Sequence, residues 1–253
     1  MKILQCGYGH IGKVLYNEFL CLTHAVNGTL FVYDPFVKDC PNQIFDLKGH
    51  FDISFVCVPT DKKDDGSANV DSVLEVCNHV DADIIVIKST IPINIIGMLP
   101  ANAIYSPEFT GTTQHSCIHD FVILGGIREY CNKVASLYKH AYAGNFHIYY
   151  TDMKTAIIAK YAENCFLATK VTFFNEIAQA CKKAKVEYDD VRNLLLADNR
   201  INPSHTIVYE EQPYYDSHCL NKDIPAFIAQ FDLPFMKTVY MINERMKTKT
   251  DFV

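Results

Sequence analysis

The chain has 253 residues, enough for one large domain or two modest ones. Apolar residues make up 49% and charged residues 21%, which excludes disorder, collagen-like repeats and low complexity. Acidic residues exceed basic ones by six and no Lys/Arg run is longer than two, so a nucleic-acid footprint is not expected. No window of 18 uncharged apolar residues suggests a membrane span, and the start, Met1 to Gly7, lacks the apolar core of a secretion signal. The ten cysteines, with no CxxC spacing among them, are therefore expected as reduced thiols in a cytoplasmic protein.

Residues 2–6 read as a short buried strand. They run into Gly7-Tyr8-Gly9-His10-Ile11-Gly12, a G-x-G-x-x-G, followed by a helical pattern through Val14, Leu15, Phe19 and Leu20. A second strand, residues 29–33, ends at Asp34, which lies 22 residues after Gly12. Each part suits a dinucleotide. Gly7 allows the tight turn, Gly9 lets the backbone approach a pyrophosphate, and Gly12 lets the helix sit close to the strand. The helix N-terminus faces the phosphate charge, and His10 and Ile11 lie where they can touch the cofactor. Asp34 can accept hydrogen bonds from ribose hydroxyls and would repel a 2′-phosphate, so NAD is expected rather than NADP.

Further strands are expected at 51–59, 83–88, 103–105 and 121–124, with helices near 71–80 and 127–143. Apolar strands alternating with helices predict a doubly wound parallel sheet of Rossmann type. Pro59-Thr60, Ser89-Thr90 and Ser106-Pro107-Glu108 then fall at the carboxyl ends of strands, where such sheets bind ligands. Each alone is ordinary turn chemistry, whereas three at one edge beside a dinucleotide motif suggest a pocket.

Thr151-Asp152 reads as the cap of a long helix over 153–183, apolar on more than one face and so buried in the fold or against a second subunit. A homodimer through this helix is expected. The organisation predicted is a Rossmann domain over 1–150 and an all-α domain over 151–253 built on the long helix. Lys160 and Asn164, four apart, share a helix face and could hold substrate oxygens; a snorkelling lysine and a surface amide are the plainer alternative. Cys219, in Cys219-Leu220-Asn221-Lys222-Asp223, is expected near a helix start. There the helix-end potential and a nearby lysine would favour the thiolate. Most cysteines, however, are inert small hydrophobes. His115, Cys117 and His119 could share a strand face but lack a fourth ligand, so no metal is expected. The Asn27-Gly28-Thr29 sequon carries nothing in a cytoplasmic protein.

These motifs resemble, in collinear order, those of the UDP-glucose/GDP-mannose 6-dehydrogenases. They are Gly7–Gly12, Val58-Pro59-Thr60, Lys88-Ser89-Thr90-Ile91-Pro92, Ser106-Pro107-Glu108-Phe109 and Lys160-Tyr161-Ala162-Glu163-Asn164. Asn175-Glu176-Ile177-Ala178, Asn199-Arg200-Ile201 and Cys219–Asp223 continue the series. The resemblance implies NAD-dependent oxidation of a nucleotide-sugar C6 alcohol to a carboxylate. In that reading Cys219 forms a thiohemiacetal and then a thioester, and Lys160 and Asn164 stabilise the oxyanion. Asp223, Thr90 and Glu108 position or activate water, Lys222 holds substrate or steadies the Cys219 region, and Arg200 reaches substrate across a dimer.

Three departures from the family are visible. The sequence stops after Met241–Arg245, where the family enters a third, nucleotide-binding domain. The family's glycine-rich approach to the cysteine is Tyr214-Tyr215-Asp216-Ser217 here, and Thr110-Gly111-Thr112 replaces another substrate-contacting stretch. Two other readings compete: a two-electron 3-hydroxyacid dehydrogenase, for which Cys219 has no use, and a catalytically weak NAD-binding protein completed by a partner.

Overall fold

A computed structural model of the chain describes residues 1–109, 120–142 and 146–248, without the side chain of His10. The chain packs as two compact units. Of the described residues, the first unit holds those of 1–61, 68–109 and 120–160, and the second holds 62–67 and 161–248.

In the first unit β1 (Lys2–Cys6), α1 (His10–Ala25), β2 (Thr29–Tyr33), β3 (Gln43–Ile44) and β4 (His50–Val56) are followed by α2 (Asp71–His79). Then come β5 (Asp81–Ile87), a 3-10 turn over Ile93–Met98, β6 (Ala103–Tyr105), β7 (Phe121–Gly125), α3 (Arg128–Ala141) and β8 (His147–Thr151). The strands form one sheet in the order β3-β2-β1-β4-β5-β6-β7-β8. β1 lies between β2 and β4, so strand order reverses across the β1–β4 seam, the switch point at which open α/β sheets bind ligands. The sheet is not wholly parallel as expected: β7 runs antiparallel to β6, and β8 is parallel to β7. Strand composition carries burial, not direction, so this reversal left no mark in the sequence.

The core follows the apolar strands. Phe19 of α1 stacks on Phe55 of β4 at 4.1 Å between ring centroids, and both are fully buried. At the end of β7, a Cβ on Gly125 would come within 2.8 Å of the Ala156 Cβ, so only glycine admits this approach to the next helix. That helix, α4 (Met153–Ala184), starts in the first unit and continues into the second. Asp152 caps it by accepting the Thr155 N–H at 2.9 Å.

The second unit holds the rest of α4, α5 (Tyr188–Leu195), α6 (His218–Phe231) and α7 (Pro234–Thr248). Tyr161 of α4 stacks parallel on Phe227 of α6 at 5.0 Å. The helix is not buried on every face within the chain: Ile158, Phe166 and Phe173 are 42%, 64% and 50% exposed.

Candidate active site

The first unit gathers its polar strand ends along one edge, because β1, β2, β4, β5 and β6 run in the same direction. Gly7 has φ +97°, and a Cβ there would lie 2.5 Å from the Cys57 carbonyl oxygen, so the turn crosses the β1–β4 seam in contact with backbone. A Cβ on Gly12 would lie 2.2 Å from the Gly7 oxygen. Gly9 meets nothing within 4 Å, and no side chain caps the N-terminus of α1 that follows it. Open backbone on one side and uncapped helix N–H groups on the other fit a dinucleotide pyrophosphate.

Gln5, fully buried on β1, was not among the expected site residues. Its Nε2 donates to the Gly7 carbonyl at 2.9 Å and the Gly12 carbonyl at 2.7 Å, tying the two ends of the turn together. The signal was present in the sequence as one amide inside an otherwise apolar strand. Asp34 is nearly buried at the end of β2. One carboxylate oxygen accepts the Tyr8 N–H at 2.7 Å, and the other accepts the N–H groups of Phe36 and Val37. Asp34 thus braces the glycine turn.

Pro59 is exposed and Thr60 buried after β4, and Thr90 is half-buried after β5. Ser89 donates to the Val58 carbonyl at 2.6 Å, fastening the two loops. Lys88, 4% exposed, pairs with Glu108 at 3.0 Å. Burial works against the Lys88 ammonium, but Glu108 and Glu18 outweigh it and hold its pKa above the usual lysine value. Lys160, at the end of the first unit's part of α4, is 8% exposed and so does not snorkel; its Nζ lies 4.7 Å from the centre of the Phe109 ring.

The second unit builds its own polar cluster. Asp223 of α6, 3% exposed, accepts the Asn164 Nδ2 at 2.7 Å on one oxygen and the Lys222 Nζ at 2.6 Å on the other. Cys219 is half-buried in the first turn of α6, and Ser217 caps the helix by accepting the Leu220 N–H. The helix start expected for Cys219 is present, but the nearby lysine is already ion-paired with Asp223. By contrast the Cys165 thiol on α4 is pushed up to about 12 by burial, with Asp223 adding to the effect. The Tyr214–Ser217 segment is held by α7. Asn243, fully buried, accepts the Tyr215 N–H at 2.8 Å and donates to its carbonyl at 3.1 Å. Lys247 reaches Asp216 at 2.9 Å and Asn221 at 2.8 Å. Arg200 is exposed and forked onto Asp198. His115, Cys117, His119 and the Thr110–Thr112 segment lie outside the described residues. Among the described residues no cluster of three or more metal-ligating side chains occurs, and no helix is long and apolar enough to cross a membrane.

Residues 154–245 match the central domain of the UDP-glucose/GDP-mannose dehydrogenase family. A UDP-glucose 6-dehydrogenase of Rickettsia prowazekii is 32% identical over 220 residues, covering 77% of this chain and 50% of that protein. UDP-glucose 6-dehydrogenase YwqF of Bacillus subtilis is 28% identical over 222 residues, covering 78% and 49%. The chain belongs to the UDP-glucose/GDP-mannose dehydrogenase family. It spans about half the length of the curated relatives it matches.

The solved structures agree on the fold. A UDP-glucose dehydrogenase of Pyrobaculum islandicum aligns with a TM-score of 0.78 at 21% identity, over 96% of this chain and 68% of that one. A 3-hydroxyisobutyrate dehydrogenase of Mycobacterium tuberculosis aligns with 0.69 at 12% identity, over 98% and 94%. At these identities the likeness is one of architecture, a Rossmann sheet followed by helices, which this member of the dehydrogenase family shares with both groups.

Proposed function

We propose that this chain is an NAD-dependent nucleotide-sugar 6-dehydrogenase that converts a sugar C6 alcohol to the carboxylate through a covalent Cys219 adduct. The observation that carries the reading is Cys219 in the first turn of α6, one turn before the Asp223 that holds Asn164 and Lys222. NAD, when bound, accepts the hydride of each oxidation, and Gly7, Gly9, His10, Ile11, Gly12, Asp34, Pro59, Thr60, Thr90 and Glu108 would hold it.

The chain's own groups do the rest. The C6 alcohol loses a proton and a hydride to give an aldehyde. The Cys219 sulfur adds to the aldehyde carbon and the former carbonyl oxygen takes a proton, giving a thiohemiacetal. Loss of a second hydride and a proton leaves a thioester. Water adds, the C–S bond breaks, and the carboxylate and the free thiol are released. The net change consumes one water and two NAD per sugar. Lys160 and Asn164 stabilise the oxyanion, Glu108, Thr90 and Asp223 orient or deprotonate water, and Lys222 and Arg200 contact substrate. The exposed Phe166 and Phe173 on α4 support a homodimer, through which Arg200 would reach the neighbouring site.

The test is the NADH yield with limiting UDP-glucose, UDP-N-acetyl sugars or GDP-mannose. Two NADH per sugar is expected. One per substrate on a 3-hydroxyacid would favour the two-electron reading. NAD binding without any turnover would favour a binding protein.

Gln5→Leu removes both ties on the glycine turn with little change in volume. At about 1 kcal/mol per hydrogen bond, NADH binding is expected to weaken roughly 10- to 30-fold. Fluorescence titration of NADH checks this, and an unchanged affinity would show that the turn holds its shape without the amide.

A further inference from the structure

Lys88 follows β5, and no step of the proposed reaction uses it, although its side chain is only 2% exposed. The sheet register explains how it meets Glu108. Ile87 of β5 pairs with Tyr105 of β6, and the Ser106 N–H donates to the Ile87 carbonyl at 2.9 Å, so the two strand ends leave the sheet side by side. The Lys88 Nζ then lies 3.0 Å from Glu108 Oε2, while Glu108 Oε1 accepts the Phe109 N–H at 3.0 Å. Each oxygen of Glu108 has a donor, and the carboxylate is held in two directions. We propose that Lys88 is a positioning residue for Glu108: its buried ammonium keeps that carboxylate charged and turned to accept an O–H of the attacking water. The proposal rests on the reading of Glu108 as a residue that orients water.

An ammonium taken out of water is costly unless a partner offsets the loss. Glu108 is the carboxylate in contact with it, and its own side chain is 12% exposed. A carboxyl so enclosed tends to keep its proton, because burial disfavours the charged form. A protonated carboxyl turns one oxygen into a donor, whereas an ionised one only accepts, which suits it to receive a water O–H. The cation at 3.0 Å is what favours the ionised form here. The other ionisable groups acting on Lys88 are Glu18 of α1, whose Oε1 accepts the Tyr138 hydroxyl at 2.7 Å, and the Cys57 thiol after β4, which burial pushes up. The Lys160 ammonium lies 4.7 Å from the centre of the Phe109 ring, so the residue whose backbone Glu108 holds also packs against the proposed oxyanion donor.

The test is a double-mutant cycle on the whole chain, read as the rate of acid formation across pH. Lys88→Met keeps the volume and removes the charge, and Glu108→Gln keeps the shape. Each is expected to slow the reaction by about 10²-fold. The double variant K88M/E108Q is expected to be no slower than E108Q, because Lys88 acts through a carboxylate that is no longer there. Losses that multiply to about 10⁴-fold overturn the proposal. The acidic limb of the K88M rate profile moves up by about one pH unit, since a buried carboxyl without its cation keeps its proton longer. A limb that stays put overturns the positioning role. Lys88→Gln retains a donor and loses only the charge, and it completes the same cycle if K88M fails to fold. If the wild-type chain makes no acid from UDP-glucose, UDP-N-acetyl sugars or GDP-mannose, the reading of Glu108 fails and the positioning role falls with it. Calorimetry then judges the pair separately: K88M/E108Q melting above K88M shows that the two charges neutralise each other, and equal melting points overturn that too.

Discussion

Cys219→Ala is expected to lower acid formation by about 10³-fold or more while leaving NADH affinity unchanged. The thiol has a specific task in the sequence of bonds. An aldehyde made by the first oxidation has no hydride-donating hydroxyl carbon until a nucleophile adds to it, and in the proposed mechanism Cys219 is that nucleophile. Alanine is a good helix former and Cys219 is only half-buried, so α6 keeps its start and its Ser217 cap. The variant's NADH yield should drop from two toward one per sugar when an amine reagent traps released aldehyde. The yield and the rate are both read from NADH absorbance, and a variant that still gives two NADH per sugar at the wild-type rate would sink the covalent step. The other cysteine near Asp223, Cys165, is a poor stand-in, because its burial holds it as the thiol.

Asp223→Ala should destabilise the fold by about 3–5 kcal/mol, because it takes a buried carboxylate away from both a part-buried ammonium and a buried amide donor. Asp223 is the acceptor for Asn164 at 2.7 Å and for Lys222 at 2.6 Å, and the Lys222 side chain is only 12% exposed. A loss of this size lowers the melting temperature by on the order of 10 °C. Calorimetry of the unliganded chain measures it apart from catalysis. Asp198→Ala is the contrast. It breaks the bidentate pair with Arg200, but that guanidinium is 90% exposed, and solvent screening leaves such a pair with little effect on stability. Equal melting points for the two variants would mean that water reaches the Asp223 cluster and repairs the loss.

The parts of the site legible in the sequence are those in which spacing along the chain equals spacing in space. Gly7, Gly9, Gly12 and Asp34 lie within one strand–helix–strand unit, so their offsets report the turn, the helix start and the end of the next strand. Cys219 and Asp223 are four apart in α6, so their place on one side of a helix was readable as soon as that helix was expected. Asn164 could not be joined to Asp223 in this way, because 59 residues separate them. α7 illustrates a softer failure. Met236, Val239, Asn243 and Met246 recur at helical spacing on its buried side, but an asparagine breaks the apolar stripe and hides the pattern. That asparagine is the residue that grips the backbone of Tyr215. Its role depends on a segment 28 residues earlier folding back onto α7.

By itself the sequence determined the chemistry available to this protein: a glycine turn before a helix, an acid after the second strand, and a cysteine one turn before an aspartate. These are local facts, fixed by backbone sterics and helical geometry over a few residues. Tertiary structure alone decided which charges neutralise which. It gave Lys222 to Asp223 and Lys88 to Glu108, and set β7 against the direction of its neighbour. Those outcomes turn on how strands and helices far apart in the chain come to lie side by side, and on the desolvation that follows. Neither leaves a periodicity for the sequence to carry.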